Sequence, residues 1–277
     1  MSPSRILFCT LGVLAWPASA LAAEPVVMLP SVPFVPSASG AWTVTLGLGG
    51  TLQPSYGGAD SSMLSPKPII SVRRAGTPER FKSLRDNPSF ALIDYGRFRA
   101  GPVGAFKSAR KASDHSELRG LNDVKFAVEI GGFAEYYAFD WLRVRAEVRR
   151  GFNGHEGIVA DFSADVIVPL NERMTFSAGP RYTLTDAKYA STYFGVSTVE
   201  ALASGLPAYD AKGGSNAVGA GAQLRYRLDP QWELRGYVEY DKLLGSAADS
   251  PLVKFRGSTN QVTYGIGVAY SFDVGVR

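Results

Sequence analysis

The sequence predicts an all-β protein: a closed, antiparallel transmembrane β-barrel of the bacterial outer membrane, with about 12 strands, or 10 if two weak segments are loop. Three observations carry that expectation. Segment after segment alternates apolar and polar side chains with period two, which puts them on opposite faces of a strand. The connections alternate between short and long along the chain. The N-terminus has the layout of a secretory signal.

The signal comes first. Residues 1–22 carry one charge, Arg5, then an apolar run from Ile6 to Trp16 and a small-residue stretch from Pro17 to Ala22, so cleavage is expected after Ala22. The apolar core is too short to span a membrane comfortably, and no run of about 18 apolar residues follows it. The only cysteine, Cys9, falls within this signal, so the mature chain has no disulfide to rely on. Loss of Arg5 takes the formal charge from +4 to +3, a balance that calls for no nucleic-acid partner. Residues 23–40, with Pro25, Pro30, Pro33 and Pro36, read as an extended periplasmic leader. The barrel is then expected over 41–272, with a short tail at 273–277.

Strands are expected at 41–52, 65–74, 79–86, 89–95, 97–107, 123–138, 141–152, 157–168, 173–185, 215–228, 232–244 and 260–272. The third and fourth are the weak ones, because alternation is poor and Pro88 interrupts them. Several strands alternate apolar residues with charge, as a lipid face and a lumen face require. Leu142, Val144, Ala146 and Val148 share one side of their strand, while Arg143, Arg145, Glu147 and Arg149 share the other. The same logic turns Asp161, Asp165, Arg181, Glu233, Arg235 and Glu239 inward. Their mixed signs point to an ionic network that fills a narrow lumen; a pore for small solutes is the alternative.

Two turns suggest registers. Centring the hairpin 149–161 on His155 pairs Arg149 with Asp161 and Arg145 with Asp165. Centring the next on Pro230 pairs Arg227 with Glu233, and sets Arg225 opposite Arg235, which then requires an acid from a third strand. The turns at 139–140, 169–173 and 229–231 are short, whereas 53–64, 108–122, 186–214 and 245–259 are long. Short periplasmic turns and long external loops fit that asymmetry. In the longest loop, Ser197 and Glu200 have capping-box spacing and predict a short helix over 197–204. Deleting 191–211 is expected to leave an assembled barrel.

Candidates for chemistry are few. The two histidines, His115 and His155, fall in external loops, in Asp114-His115-Ser116 and His155-Glu156. General-base or nucleophilic chemistry needs a hydrogen-bonded base and a third orienting group, which adjacency in sequence does not supply. Both read more simply as exposed loop residues, and His155 as part of a tight turn. No metal-ligand spacing is present, and Asp60, Asp86 and Asp114 read as solvated loop charge. The Gly47–Gly50 and Gly219–Gly221 stretches lie within strands, with no following helix to hold a phosphate, so no cofactor is expected.

The chain resembles the MipA/OmpV family of outer-membrane proteins. The likeness is carried by Trp42 to Gly58 (WTVTLGLGGTLQPSYGG), Gly101-Pro102, Arg119-Gly120-Leu121 and Glu129 to Tyr137 (EIGGFAEYY). It continues in Gly154-His155-Glu156-Gly157, Tyr193 to Ser197 (YFGVS) and Ala203 to Tyr209 (ASGLPAY). The resemblance implies an outer-membrane location among lipid and lipopolysaccharide, and a non-enzymatic scaffold joining a lytic transglycosylase to a peptidoglycan synthase. A narrow channel is the alternative function and an outer-membrane hydrolase the third. Such barrels end on aromatics read by the barrel assembly machinery, here Tyr270 and Phe272, and the chain departs from that pattern in continuing to Arg277.

Overall fold

The alternating segments form one antiparallel, curled sheet in a computed structural model that describes residues 41–75 and 79–275. The signal, its Ala22 cleavage site and the 23–40 leader lie outside the described residues. The strands are β1 Ala41–Pro54, β2 Ser62–Arg74, β3 Ile93–Tyr95, β4 Phe98–Lys107, β5 Ala127–Phe139 and β6 Leu142–Asn153. They continue as β7 Ile158–Pro169, β8 Met174–Thr185, β9 Gly214–Arg227, β10 Trp232–Leu243 and β11 Asn260–Gly275. The order across the sheet is β2-β1-β11-β10-β9-β8-β7-β6-β5-β4-β3, so consecutive strands pair except β2 and β3, which are the two edges, and β11 returns to β1.

Burial inverts the rule for soluble proteins. On β6, Val144 and Val148 are 41% and 51% exposed while Arg143 and Glu147 are 1% and 5% exposed. The same outward apolar belt runs through Leu48, Ile130, Phe162 and Ile266. Only a hydrocarbon solvent outside and a polar lumen inside make this pattern stable. Trp232, Tyr270 and Phe272 pack ring on ring near the short-turn end, with centroids 4.8 and 6.0 Å apart, where an interfacial aromatic girdle belongs.

The structure corrects the expected strand list. Among the described residues there are 11 strands rather than 12 or 10, and 79–86 is not one of them. That segment runs across the lumen instead. The weak strand 89–95 survives as an irregular edge on β4. Gly104 N–H donates to Pro88 O, Phe90 N–H to Pro102 O and Leu92 N–H to Ala100 O at 3.0–3.1 Å, before the short β3. β11 does not stop at Phe272: Asp273 lies opposite Thr43 and accepts its hydroxyl at 2.6 Å, so the expected tail is strand through Gly275.

Closure was the other expectation, and no ladder among the described residues joins β2 to β3 or β4. The reason is legible in β2. Pro66 and Pro68 lie opposite Gly50 and Leu48. They share the parity of Ile70, whose carbonyl faces away from β1 and accepts Lys82 Nζ at 2.9 Å. In an antiparallel strand a residue's N–H and C=O point the same way, so both prolines face the seam. They leave that edge short of two donors, and a proline can sit in a strand only at such an edge.

The registers repeat the test. β9 and β10 pair as the turn at Pro230 requires, with Arg227 opposite Glu233 and Arg225 opposite Arg235. The β6–β7 hairpin is shifted by two residues: Glu147, not Arg149, lies opposite Asp161, and Arg143, not Arg145, lies opposite Asp165. Asn153 adopts φ 75° and tightens the turn, so it centres on Gly154. A two-residue shift keeps every side chain on its face, so the lumen set survives the error.

The long loops fold over the mouth at the long-loop end as a helical lid. Its helices are α1 Ala187–Phe194, α2 Thr198–Ser204, α3 Gly245–Asp249 and α4 Pro251–Arg256, with a 3-10 turn at Ser116–Leu118. Local chemistry sets their ends. Asp186 Oδ1 accepts Tyr189 N–H at 2.9 Å to start α1, and the Ser197/Glu200 capping box starts α2 as the spacing predicts. Gly205 ends α2 at φ 75°. Tyr193, Phe194, Leu206, Leu252 and Val253 fill the lid's core. Burial pushes the Tyr193 hydroxyl up to about 12, so it stays neutral beside Lys107. Deletion of 191–211 removes part of this core but nothing from a ladder, because β8 ends at Thr185 and β9 begins at Gly214. The shortened barrel is expected to keep its heat-dependent gel shift; loss of the shift would make the lid core a requirement for assembly.

Candidate functional site

The lumen gathers the inward charges into chains of alternating sign. Residues two apart on one strand lie about 7 Å apart on the same face, within reach of acids on the adjacent strands. Arg143 sits between Asp165, at 2.7 Å, and Asp86, held by two bonds of 2.7 and 3.0 Å. Arg181 takes the other oxygen of Asp165 at 2.6 Å. Arg145 bonds Glu135 and Glu147, both at 2.9 Å. Arg149 continues the chain to Glu147 at 2.6 Å, Glu129 at 2.9 Å and Asp161 at 2.6 Å.

Of the ten lumen residues expected from the sequence, nine are buried and Asp161 is half-buried. They form two groups rather than one. Glu233 and Arg235 pair with each other nearer the short-turn end. There the missing acid for Arg225 and Arg235 comes from Glu79, which lies 2.9 Å from Arg225, 3.7 Å from Arg227 and 3.9 Å from Arg235. It arrives from the segment after β2, not from a third strand.

Sequence reading missed several members. Glu129 and Glu135 sit on the inward parity of β5 and were open to the period-two argument. Arg85 and Asp86 carried no such signal, because they lie in the non-periodic inserted segment. Asp86, expected as solvated loop charge, has a side chain 5% exposed and locked to Arg143; Asp60 and Asp114 are exposed.

The histidines are also corrected. His155 is 2% exposed, not an open loop residue. Its Nε2 lies 3.1 Å from Glu129 Oε1, and its Nδ1 accepts Gly157 N–H at 3.2 Å. Tyr189 covers it edge-on at 5.0 Å. A Cβ on Gly151 would stand 2.2 Å from this ring, which fixes glycine there. Glu156 turns outward to Lys188. His115 packs on Tyr56, and Ser116 donates to Glu117 at 3.1 Å rather than to His115. Neither site couples a hydroxyl nucleophile to its histidine. Among the described residues no group of three or more potential metal ligands occurs.

The inserted segment crosses this lumen over residues 79–87, before 88–92 join the edge of β4, and its side chains are held one after another. Gln223 of β9 clamps its backbone: Oε1 accepts Leu84 N–H at 2.7 Å and Nε2 donates to Lys82 O at 3.2 Å. Leu84 fits against Ile69 and Ala269. Arg85 enters an acidic recess, pairing with Glu239 and lying 3.4 Å from both Asp161 and Asp241. Asn87 donates to Glu147 at 2.8 Å, and Ser89 accepts from Arg145 at 3.1 Å.

A family model described as MltA-interacting protein MipA matches residues 46–272. The chain belongs to the MipA family. Together with the apolar belt, that membership makes it a bacterial outer-membrane protein. None of the curated proteins compared with this MipA-family chain matches it. Among solved structures it is similar to the NanC porin, with 13% identity over 82% of this chain and 100% of that one and a TM-score of 0.43. It is also similar to an outer membrane channel from Pseudomonas putida F1, with 13% identity over 88% and 99% and a TM-score of 0.40. A third is the outer membrane protein OprG from Pseudomonas aeruginosa, with 12% identity over 84% and 97% and a TM-score of 0.29.

Proposed function

We propose that this MipA-family protein is a non-enzymatic outer-membrane barrel that anchors peptidoglycan-remodelling enzymes, a lytic transglycosylase and a peptidoglycan synthase, at the periplasmic face. The observation that carries the reading is the filled lumen. Interlocked ion pairs and the inserted segment occupy it, and the lid covers the outer mouth, so the working parts left to the molecule are its end surfaces. In this reading segment 79–92 also covers the β2–β3 seam from within and completes the barrel without a twelfth strand. The printed family description, an MltA-interacting protein, supports a transglycosylase partner.

The short turns offer the docking positions: Asp140 is 98% exposed in its side chain and Trp141 is 51% exposed beside it. The test is site-specific photocrosslinking in cells from Asp140, Glu172 and Gln231 in these turns, with Val199 and Lys212 of the lid as controls. Adducts with the transglycosylase are expected from the turns alone. No adduct from any turn, or adducts from the lid alone, would overturn the scaffold. A steady single-channel conductance of the unaltered barrel in a planar bilayer would replace it with a channel.

A further inference from the structure

The contacts of residues 82–87 are those of a bound peptide rather than of a structural strand, whereas 88–92 return along β4 as the sheet edge. A stave of the sheet is held by a ladder that ignores side-chain identity. Residues 82–87 are instead held one by one: the Gln223 amide on the backbone of Lys82 and Leu84, an apolar recess for Leu84, three acids around Arg85, two arginines around Asp86 and Glu147 on Asn87. Recognition of an extended peptide by backbone bonds plus alternating side-chain pockets has this form.

The geometry points to a peptide-binding site in the lumen that is occupied, in this state, by the chain's own Leu84-Arg85-Asp86-Asn87. Its ligand class is a short extended peptide, or a peptide segment of a larger molecule, with an apolar, a cationic and an anionic group in that order. Two features make exchange physically reasonable. The segment enters from the short-turn end, between Arg74 of β2 and the turn at Gly96, so withdrawal opens the site to the periplasm. Withdrawal also rehydrates Arg85 and Asp86 together with the lumen charges they leave, so no buried charge is stranded in a dry interior. The tether keeps the resident segment at a local concentration of millimolar order or higher, so a competitor must bind tightly or meet a weakened segment.

The experiment uses the full-length protein in detergent micelles and a fluorescein-labelled synthetic peptide of residues 82–89, read by anisotropy. The variant Arg85→Ala/Asp86→Ala, with its gel shift verified, is expected to bind the peptide at least tenfold more tightly than the unaltered protein. A peptide with Arg85 and Asp86 exchanged is expected to bind at least tenfold more weakly than the native order. Binding of both peptides alike, or of neither, to the folded variant would overturn the site. A second measurement keeps the resident side chains in place. Ser83 is 7% exposed, and in Ser83→Cys the native peptide, supplied at about 10 mM to match the tethered segment, is expected to raise the rate of maleimide labelling severalfold; an unchanged rate would count equally against exchange.

Discussion

Arg143→Ala is expected to lower the unfolding free energy by about 3–5 kcal/mol, the usual loss when one partner of a buried ion pair is removed. Arg143 is 1% exposed and holds two carboxylates at once, Asp86 and Asp165, with Glu135 a further 3.5 Å away. Asp165 keeps Arg181 and Glu135 keeps Arg145, but Asp86 is left without a close cation: it retains the Ser83 N–H at 3.0 Å and Arg145 at 3.9 Å. The stranded carboxylate, more than the lost bonds, sets the size of the effect. Urea unfolding in micelles, followed by tryptophan fluorescence, measures it. Arg143→Lys is expected to recover only part of the loss, because an ammonium cannot make the forked contact to Asp86. Adding Asp86→Asn to Arg143→Ala is expected to return about 0.5–3 kcal/mol, the range for directly coupled neighbours. A loss below about 1 kcal/mol in the single variant would mean that the lumen carboxylates are hydrated in the native state, as exposed pairs are.

Val148→Arg is expected to destabilise the protein by about 2–4 kcal/mol, the cost of a cation at the lipid-facing midplane of a barrel. The residue is 51% exposed, and on a soluble protein such a change stays within about 0.5 kcal/mol. Steric crowding does not explain a loss, because the cross-strand neighbours of Val148 are Gly132 and Ala160. The chain supplies its own control. Arg150 lies on the same face of β6 two residues nearer the long-loop end, where the cost of a cation is smaller than at Val148. The same unfolding experiment decides the matter, and an effect near zero would remove the membrane from around β6.

These two positions also divide what was legible in the sequence from what was not. Val148 and Arg143 were assigned to opposite faces from alternation alone, and the faces are as read. The partner of Arg143 was misassigned, because the hairpin centre moved from His155 to Gly154 when Asn153 took a left-handed conformation. The error cost a register but not a face. The acid that the Arg225–Arg235 pair required comes not from a third strand, as expected, but from Glu79 on the segment after β2. His155 was read as exposed because a turn in sequence gives no hint of what folds over it, and here α1 does.

The sequence by itself determined which strand positions face lipid and which face the lumen, the strands β4 to β11, the short-turn and long-loop ends, and the helix cap at Ser197. All of these follow from local periodicity and local hydrogen bonding. Only the tertiary structure decided that 79–92 turns inward, that the lid has a hydrophobic core of its own, and that β2 meets no partner across the seam. Those outcomes depend on contacts between residues far apart in the chain. Arg85 needs Asp161, Glu239 and Asp241 from two other strands before burial becomes favourable, and no local pattern around Arg85 records that they are there.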